Sequence, residues 1–221
     1  MVIVFDLDDT LYDEVDFVTS GFRAVAEALD PRRPEVVFEY MRARFEAAGS
    51  GRVFDDTLAH FGFDHDLGAL IALYRDHRPD IELPRDRVAV LAALRRRFAF
   101  GLVSDGPCRT QRNKFDRLGL GPMIAQPVFT AELGAPKPAK AGFEQIMRQC
   151  AGERAFVYVA DNPAKDFIAP RALGWRTIRF RNPRGIYRTI EGEADVEIGQ
   201  LGELVPLLDA GSCVTNAEMR L

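Results

Sequence analysis

The run Val2-Ile-Val-Phe-Asp-Leu7 constrains the fold more than any other segment, because it is short, β-branched and apolar almost throughout. A strand with one solvated face alternates polar and apolar residues. A nearly continuous apolar run suits a strand buried on both faces of a parallel sheet. Ala99-Phe-Gly-Leu-Val103, Pro127-Val-Phe-Thr130, Ala155-Phe-Val-Tyr-Val-Ala160 and Trp175-Arg-Thr-Ile-Arg-Phe180 repeat the theme, and Val196 to Ile198 is a candidate sixth strand. Between them lie helical spacings: Val88, Leu91 and Leu94; Phe143, Ile146, Met147 and Cys150; Phe167, Ile168 and Leu173, the last closing at Gly174. Pro84, Pro107, Pro138 and Pro163 stand where first helical turns are expected. Alternating strand and helix predicts an α/β fold, a parallel sheet with helices on both faces.

From about residue 15 to 83 the alternation stops. Val18, Phe22, Val25 and Leu29, then Val37, Met41, Phe45 and Ala48, then Leu67, Leu70, Ile71 and Tyr74 read as helices only. The expected organisation is a core of residues 1–14 and 84–221 interrupted by an all-helical insert, 15–83.

With 221 residues, 47% apolar and 28% charged, the chain can bury a sizeable core. A net charge of -4 gives no electrostatic case for nucleic acid or an anionic membrane. Cys108, Cys150 and Cys213 are odd in number and far apart, which argues against a disulfide framework and for a reducing cytoplasm. Neither a signal peptide nor a membrane span is expected, since Asp6 interrupts the first apolar run.

The strands end on chemistry. Asp6 and Asp8 lie two apart in Phe5-Asp-Leu-Asp-Asp-Thr10, so in extended chain they face one substrate while Asp9 points away. A carboxylate that attacks phosphorus forms an aspartyl-phosphate, and a second acid must protonate the departing alkoxide. Ser104, Asp105 and Gly106 follow the second strand, where a hydroxyl and backbone N–H groups can meet a phosphate. Gly101 to Cys108 is not a P-loop, because Pro-Cys follows Gly106 where Lys-Ser/Thr is required. Lys137, between Pro136 and Pro138, is held with little backbone freedom and can present an ammonium to phosphate and nucleophile. Asp161 closes its strand and Asp166 lies five residues on; Mg²⁺ takes oxygen ligands and retains waters, so one or two carboxylates suffice. Asp6 and Asp161 are the expected ligands, with the Asp8 carbonyl assisting; Asp166 is either a ligand, directly or through water, or a helix cap. Sheets of this kind bind ligands beyond the carboxyl ends of their strands, where all these residues fall.

Asp6-Leu-Asp-Asp-Thr10, Ser104, Pro136-Lys-Pro138 and Asp161-Asn-Pro-Ala-Lys-Asp166 resemble, in order and spacing, the four motifs of haloacid dehalogenase-like hydrolases. The resemblance spans residues 1 to about 181. It implies a Rossmann-like core, Asp6 as nucleophile, Asp8 as acid then base, Ser104 and Lys137 gripping the phosphoryl group, and Asp161 with Asp166 completing a magnesium site. The insert's position resembles the family's type 1 helical cap, a lid over the active site. Thr10, Asp105, Gly106 and Arg52 are the expected substrate contacts, with Arg44 and Tyr12 weaker candidates.

The expected activity is a Mg²⁺-dependent phosphatase acting on a small phosphorylated metabolite, a sugar phosphate or nucleotide. A sugar-phosphate mutase shares every core motif. A haloacid dehalogenase also uses an aspartate nucleophile, but expelled halide needs no proton from Asp8. A phospho-acceptor signalling domain would carry its acceptor on a later strand and needs no lid. His60, His65 and His77 all lie in the insert, and the five-residue spacing of the first two disfavours zinc. Arg179, Arg181, Arg184 and Arg188 read as a basic surface.

Overall fold

All six strands form. They are β1 (Val2–Phe5), β2 (Ala99–Ser104), β3 (Val128–Phe129), β4 (Phe156–Ala160), β5 (Arg176–Phe180) and β6 (Val196–Ile198) in a computed structural model that describes residues 1–211. The sheet order is β3-β2-β1-β4-β5-β6 and every pairing is parallel. From β1 the chain builds outward through β2 and β3, then returns to β4 on the other side. The reversal puts the topological switch point between β1 and β4, where the splayed connections leave a crevice.

Alternation along β1 divides the core. Ile3 and Phe5 pack on one face with Leu91, Leu94, Leu102, Val159 and Ile178; Val2 and Val4 pack on the other with Phe143, Ile146, Tyr158 and Trp175. Burial on both faces is why the first strand carries no outward polar residue. β1 ends at Phe5, two residues earlier than the apolar run. The Asp6 amide still reaches the Val159 carbonyl at 2.9 Å, and the Leu11 amide then bonds back to the Leu7 carbonyl, so the chain turns instead of extending.

Four helices intervene between β1 and the return to the sheet: α1 (Glu14–Leu29), α2 (Pro34–Ala48), α3 (Val53–Phe61) and α4 (Leu67–Asp76). They enclose a core of their own in which Val18, Phe22, Val25, Val37, Met41 and Leu70 are buried together. α5 (Arg85–Arg95) then packs on the sheet, followed by α6 (Cys108–Arg117), α7 (Ala141–Gln149), α8 (Ile168–Ala172) and α9 (Leu204–Gly211). Pro84 and Pro107 directly precede α5 and α6. Pro138 and Pro163 do not open helices. A turn closed by the Ala139 amide on the Pro136 carbonyl delays α7 to Ala141, and a turn closed by the Asp166 amide on the Asn162 carbonyl delays α8 to Ile168.

The arginines in and after β5 are not all surface charges. Arg179 is 1% exposed, and its guanidinium donates to the carbonyls of Asp161, Tyr187 and Ile190 and to Glu197. Arg181 pairs with Glu191 and Glu197, and Arg184 with Asp13 and Asp16. A strand pattern of alternating arginines does not reveal which one faces inward. Cys108 and Cys150 are free thiols, and Cys213 lies outside the described residues. Among the described residues no helix is long and apolar enough to cross a membrane.

Asp13, just before α1, ties the insert's first connection to the core. It is buried with Arg87 and accepts from Asn182 at 2.8 Å and Arg184 at 2.6 Å. Burial alone would raise its pKa, but the Asn182 hydrogen bond and the two guanidiniums outweigh it and hold the carboxyl below its ordinary range. Asp13→Ala leaves Arg87 buried without its partner and is expected to cost about 3–5 kcal/mol in denaturant unfolding. Because the folded value is depressed, this stabilisation is present above the unfolded carboxyl value of about 3.9 and is lost as pH falls through the folded one. The difference in stability between wild type and Asp13→Ala should therefore shrink in acid.

Candidate active site

The crevice at the β1–β4 switch point is a cavity of about 230 Å³, with Asp6, Asp8, Asp105, Gly106, Lys137 and Asp161 in its lining. The registers explain the convergence. Phe5 lies opposite Leu102 and Val159, so Asp6 leaves the sheet level with the ends of β2 and β4.

Lys137 Nζ sits 2.9 Å from Asp6 Oδ1 and 2.7 Å from Asp166 Oδ1, with the Tyr158 hydroxyl at 3.1 Å. Burial would lower this ammonium's pKa, but Asp166 and Asp6 raise it well above its usual value. Its backbone is fixed as well, by the Lys137 amide donating to Asp105 Oδ1 at 3.1 Å. Asp105 further accepts from Thr130 at 2.6 Å and from Lys165 at 2.7 Å, so its carboxylate is spent on structure.

Asp6, Asp161 and Asp166 each offer a carboxylate oxygen within 4.8 Å of the others. Burial, reinforced by Asp166 and Asp8, lifts Asp6 to about 7 in spite of Lys137, and burial with Asp6, Asp166 and Asp9 lifts Asp161 to about 9. Asp161 Oδ2 is buried with no hydrogen-bond partner among the described residues. An all-oxygen donor set with an unsatisfied buried carboxylate fits a hard divalent cation. Asp166 is more committed than the other two, with one oxygen facing Lys137 and the other accepting the Asn162 amide at 3.1 Å.

Asp8 is set apart from that cluster. Lys114 Nζ lies 2.7 Å from Oδ1, the Tyr12 hydroxyl donates to the same oxygen, and Gln111 Nε2 donates to Oδ2 at 2.7 Å. Burial opposes ionisation, yet Lys114 and the hydrogen bonds of Lys114, Tyr12 and Gln111 hold Asp8 below the ordinary carboxylate range. Two neighbouring acids are thus pushed in opposite directions, Asp6 up by burial among other acids and Asp8 down by its cation and hydrogen-bond donors.

Several expected contacts differ. Ser104 is the last residue of β2 instead of the first beyond it; it is 1% exposed, and its hydroxyl accepts from Gln111 at 2.7 Å outside the cavity lining. Thr10 is fully buried outside the cavity lining. Tyr12 supports Asp8 from behind. Asp9, with φ of 52°, spends its carboxylate on the Glu14 and Ile186 amides while still edging the cavity. Arg52 and Arg44 line a separate depression and both pair with Asp56, because their helices meet each other there. His60 stacks on Tyr40, and buried His77 bonds Ser20 and the Tyr74 carbonyl. Sequence reading missed Gln111, Lys114, Glu14, Lys165 and Tyr187. The spacing of Gln111 and Lys114, three apart on α6, was the available signal, since it puts both on one helix face. Gly106, with φ of 125°, gives the chain its turn into α6, and a Cβ there would come within 3.1 Å of Gln111.

A family model for haloacid dehalogenase-like hydrolases matches residues 1–174. Glyceraldehyde 3-phosphate phosphatase of Methanocaldococcus jannaschii is 28% identical over 220 residues, covering 93% of this chain and 96% of that protein. Among solved structures, a haloacid dehalogenase-like hydrolase of Bacillus subtilis superposes with a TM-score of 0.67 at 19% identity, covering 94% of this chain and 98% of that one. A 2-haloacid dehalogenase of Pseudomonas syringae gives 0.65 at 24% identity, covering 95% and 98%.

Lys114→Met removes the opposing charge from Asp8 while leaving it buried, so the Asp8 carboxyl should titrate at higher pH than in the wild type. A carboxyl ¹³C NMR titration, with Asp8→Asn to assign the resonance, checks this; an unmoved resonance would mean that Lys114 does not hold the charge.

Proposed function

The chain belongs to the haloacid dehalogenase-like hydrolases, and on that premise we propose that it is a Mg²⁺-dependent phosphatase acting on a small sugar phosphate, with a triose phosphate as the leading substrate. The observation that carries this reading is the pair of unlike carboxylates, Asp6 on the ammonium of Lys137 and Asp8 on Lys114, lining one cavity. Attack on carbon with loss of halide needs only the first of them. Displacement of an alkoxide from phosphorus needs both. The name of the curated relative supports a triose phosphate, and a cavity of about 230 Å³ suits it better than a nucleotide, since drug-sized ligands occupy roughly 300–1,000 Å³.

In the first step an oxygen of Asp6 forms a bond to phosphorus as the bond to the leaving oxygen breaks, and Asp8 gives its proton to that oxygen. An incoming phosphate dianion raises the proton affinity of Asp8, which supplies the protonated form from a site otherwise ionised. In the second step Asp8, now a carboxylate, takes a proton from water as the water oxygen bonds to phosphorus, which frees Asp6 and inorganic phosphate. Lys137 neutralises charge on the nucleophile and the phosphoryl oxygens. Ser104, outside the cavity lining, accepts from Gln111 and so helps to position the amide that donates to Asp8. Asp6, Asp161 and the Asp8 carbonyl would hold the cation, with Asp166 reaching it directly or through water; when bound, it supplies Lewis-acid stabilisation of phosphoryl charge. Residues 15–83 act as a lid over this cavity.

Phosphate release should be seen with triose phosphates in the presence of Mg²⁺ and be lost on chelation. Asp6→Asn should lower it by about a thousandfold or more, and Asp8→Asn should slow it and let the aspartyl-phosphate accumulate in an acid quench. Halide release without phosphate release would overturn the assignment. Because Asp161 and Asp6 are lifted to about 9 and about 7, Mg²⁺ binding near neutral pH should expel on the order of one proton per cation. Calorimetry in buffers of differing ionisation enthalpy measures it, and Asp161→Asn should reduce the number.

A further inference from the structure

Glu14 and Tyr187 line the same cavity as the catalytic acids. The backbone of each is fixed. The Glu14 amide donates to Asp9 Oδ1 at 2.9 Å, and the Tyr187 carbonyl accepts from buried Arg179 at 2.9 Å. The segment carrying Tyr187 is also clasped to the nucleophile loop: the Asn182 side-chain amide donates to the Asp9 carbonyl at 3.0 Å, and the Ile186 amide to Asp9 Oδ2 at 3.1 Å. Their polar tips, in contrast, are unspent. The nearest charged partner of the Glu14 carboxylate is Lys114 at 4.0 Å, and the Tyr187 hydroxyl makes no hydrogen bond among the described residues. Lys165, the other polar group at this end, is already paired with Asp105 at 2.7 Å. A rigid backbone with a free donor or acceptor aimed into a cavity is how a site selects a polar ligand.

Resting on the phosphatase reading above, we infer that Glu14 and Tyr187 are the specificity-determining residues for the leaving group, which is short, hydroxylated and uncharged. Glu14 accepts a hydrogen bond from a leaving-group hydroxyl, and Tyr187 donates one to a hydroxyl or carbonyl oxygen. Glu14 stands beside Asp8 and Asp9, so this wall also repels a leaving group that carries a carboxylate. Glyceraldehyde 3-phosphate and 3-phosphoglycerate differ in this one respect, and p-nitrophenyl phosphate offers neither hydroxyl nor carboxylate.

The test is kcat/KM for these three esters with wild type, Glu14→Gln and Tyr187→Phe, at about pH 8, above the Glu14 value of about 7. Wild type should favour glyceraldehyde 3-phosphate over 3-phosphoglycerate. Glu14→Gln should shrink that preference by about tenfold, and Tyr187→Phe should lower the ratio of glyceraldehyde 3-phosphate to p-nitrophenyl phosphate by about tenfold. Ratios within about twofold of wild type in both variants, or equal losses on all three esters, would overturn the inference. A wild type that cleaves none of the three would instead sink the phosphatase reading.

Discussion

One buried ammonium holds the catalytic centre together. Lys137 is the counter-ion of both Asp6 and Asp166, and without it three carboxylates would face each other within 4.8 Å in a low-dielectric crevice. Like charges at that separation cannot all ionise when buried. Even with Lys137 in place, Asp6 and Asp161 remain lifted to about 7 and about 9. The protein therefore leaves a deficit of positive charge, and a deficit lined only by oxygen is what a divalent cation fills. On the proposed reading, affinity for Mg²⁺ would come from a site that is electrostatically incomplete by itself.

The positions of these groups were legible because they follow from topology. Asp6 and Asp161 stand just past the carboxyl ends of apolar runs, and parallel strands bring such ends to one edge. The strands could be read because burial on both faces removes polar residues from the pattern, and even short β6 was identifiable. Legibility failed where position depends on tertiary contact. The spacing of Gln111 and Lys114 puts them on one face of α6, but only the packing of α6 against the Asp8 loop shows that this face meets the site. Arg179 was misread for the converse reason: β5 alternates arginine with apolar residues, and only the carbonyls waiting behind it make the inward one stable. Arg52 failed because the insert's helices rest on each other before they reach the cavity.

Asp8 and Asp6 share a loop, yet the sheet and α6 give them opposite environments. Asp6 emerges from the centre of the sheet and is surrounded by other acids. Asp8, past the turn, is reached by α6, whose Lys114 and Gln111 engage one carboxylate oxygen each. Gln111 also holds Ser104, so the Asp8 side chain and the end of β2 share one support. A shift of α6 would move both together, keeping their spacing while changing their distance from Asp6.

The loop that carries Asp6 also leads into the helical insert. Asp9 adopts a left-handed backbone that costs free energy for a residue with a Cβ, and it is held there by the Glu14 and Ile186 amides on its carboxylate and by Asn182 on its carbonyl. Asp13, three hydrogen-bonding partners deep, fixes the last residue before α1. Only seven residues lie between Asp6 and Glu14, and both ends of that span reach the cavity. The Glu14 amide on Asp9 and the buried Asp13–Arg87 pair tie this span to the core, which makes Glu14 part of the fixed wall. Selection of the leaving group then does not wait for the lid to close: Glu14 and Tyr187 are in place while the cavity is still accessible, and closure need only exclude water from a substrate already oriented.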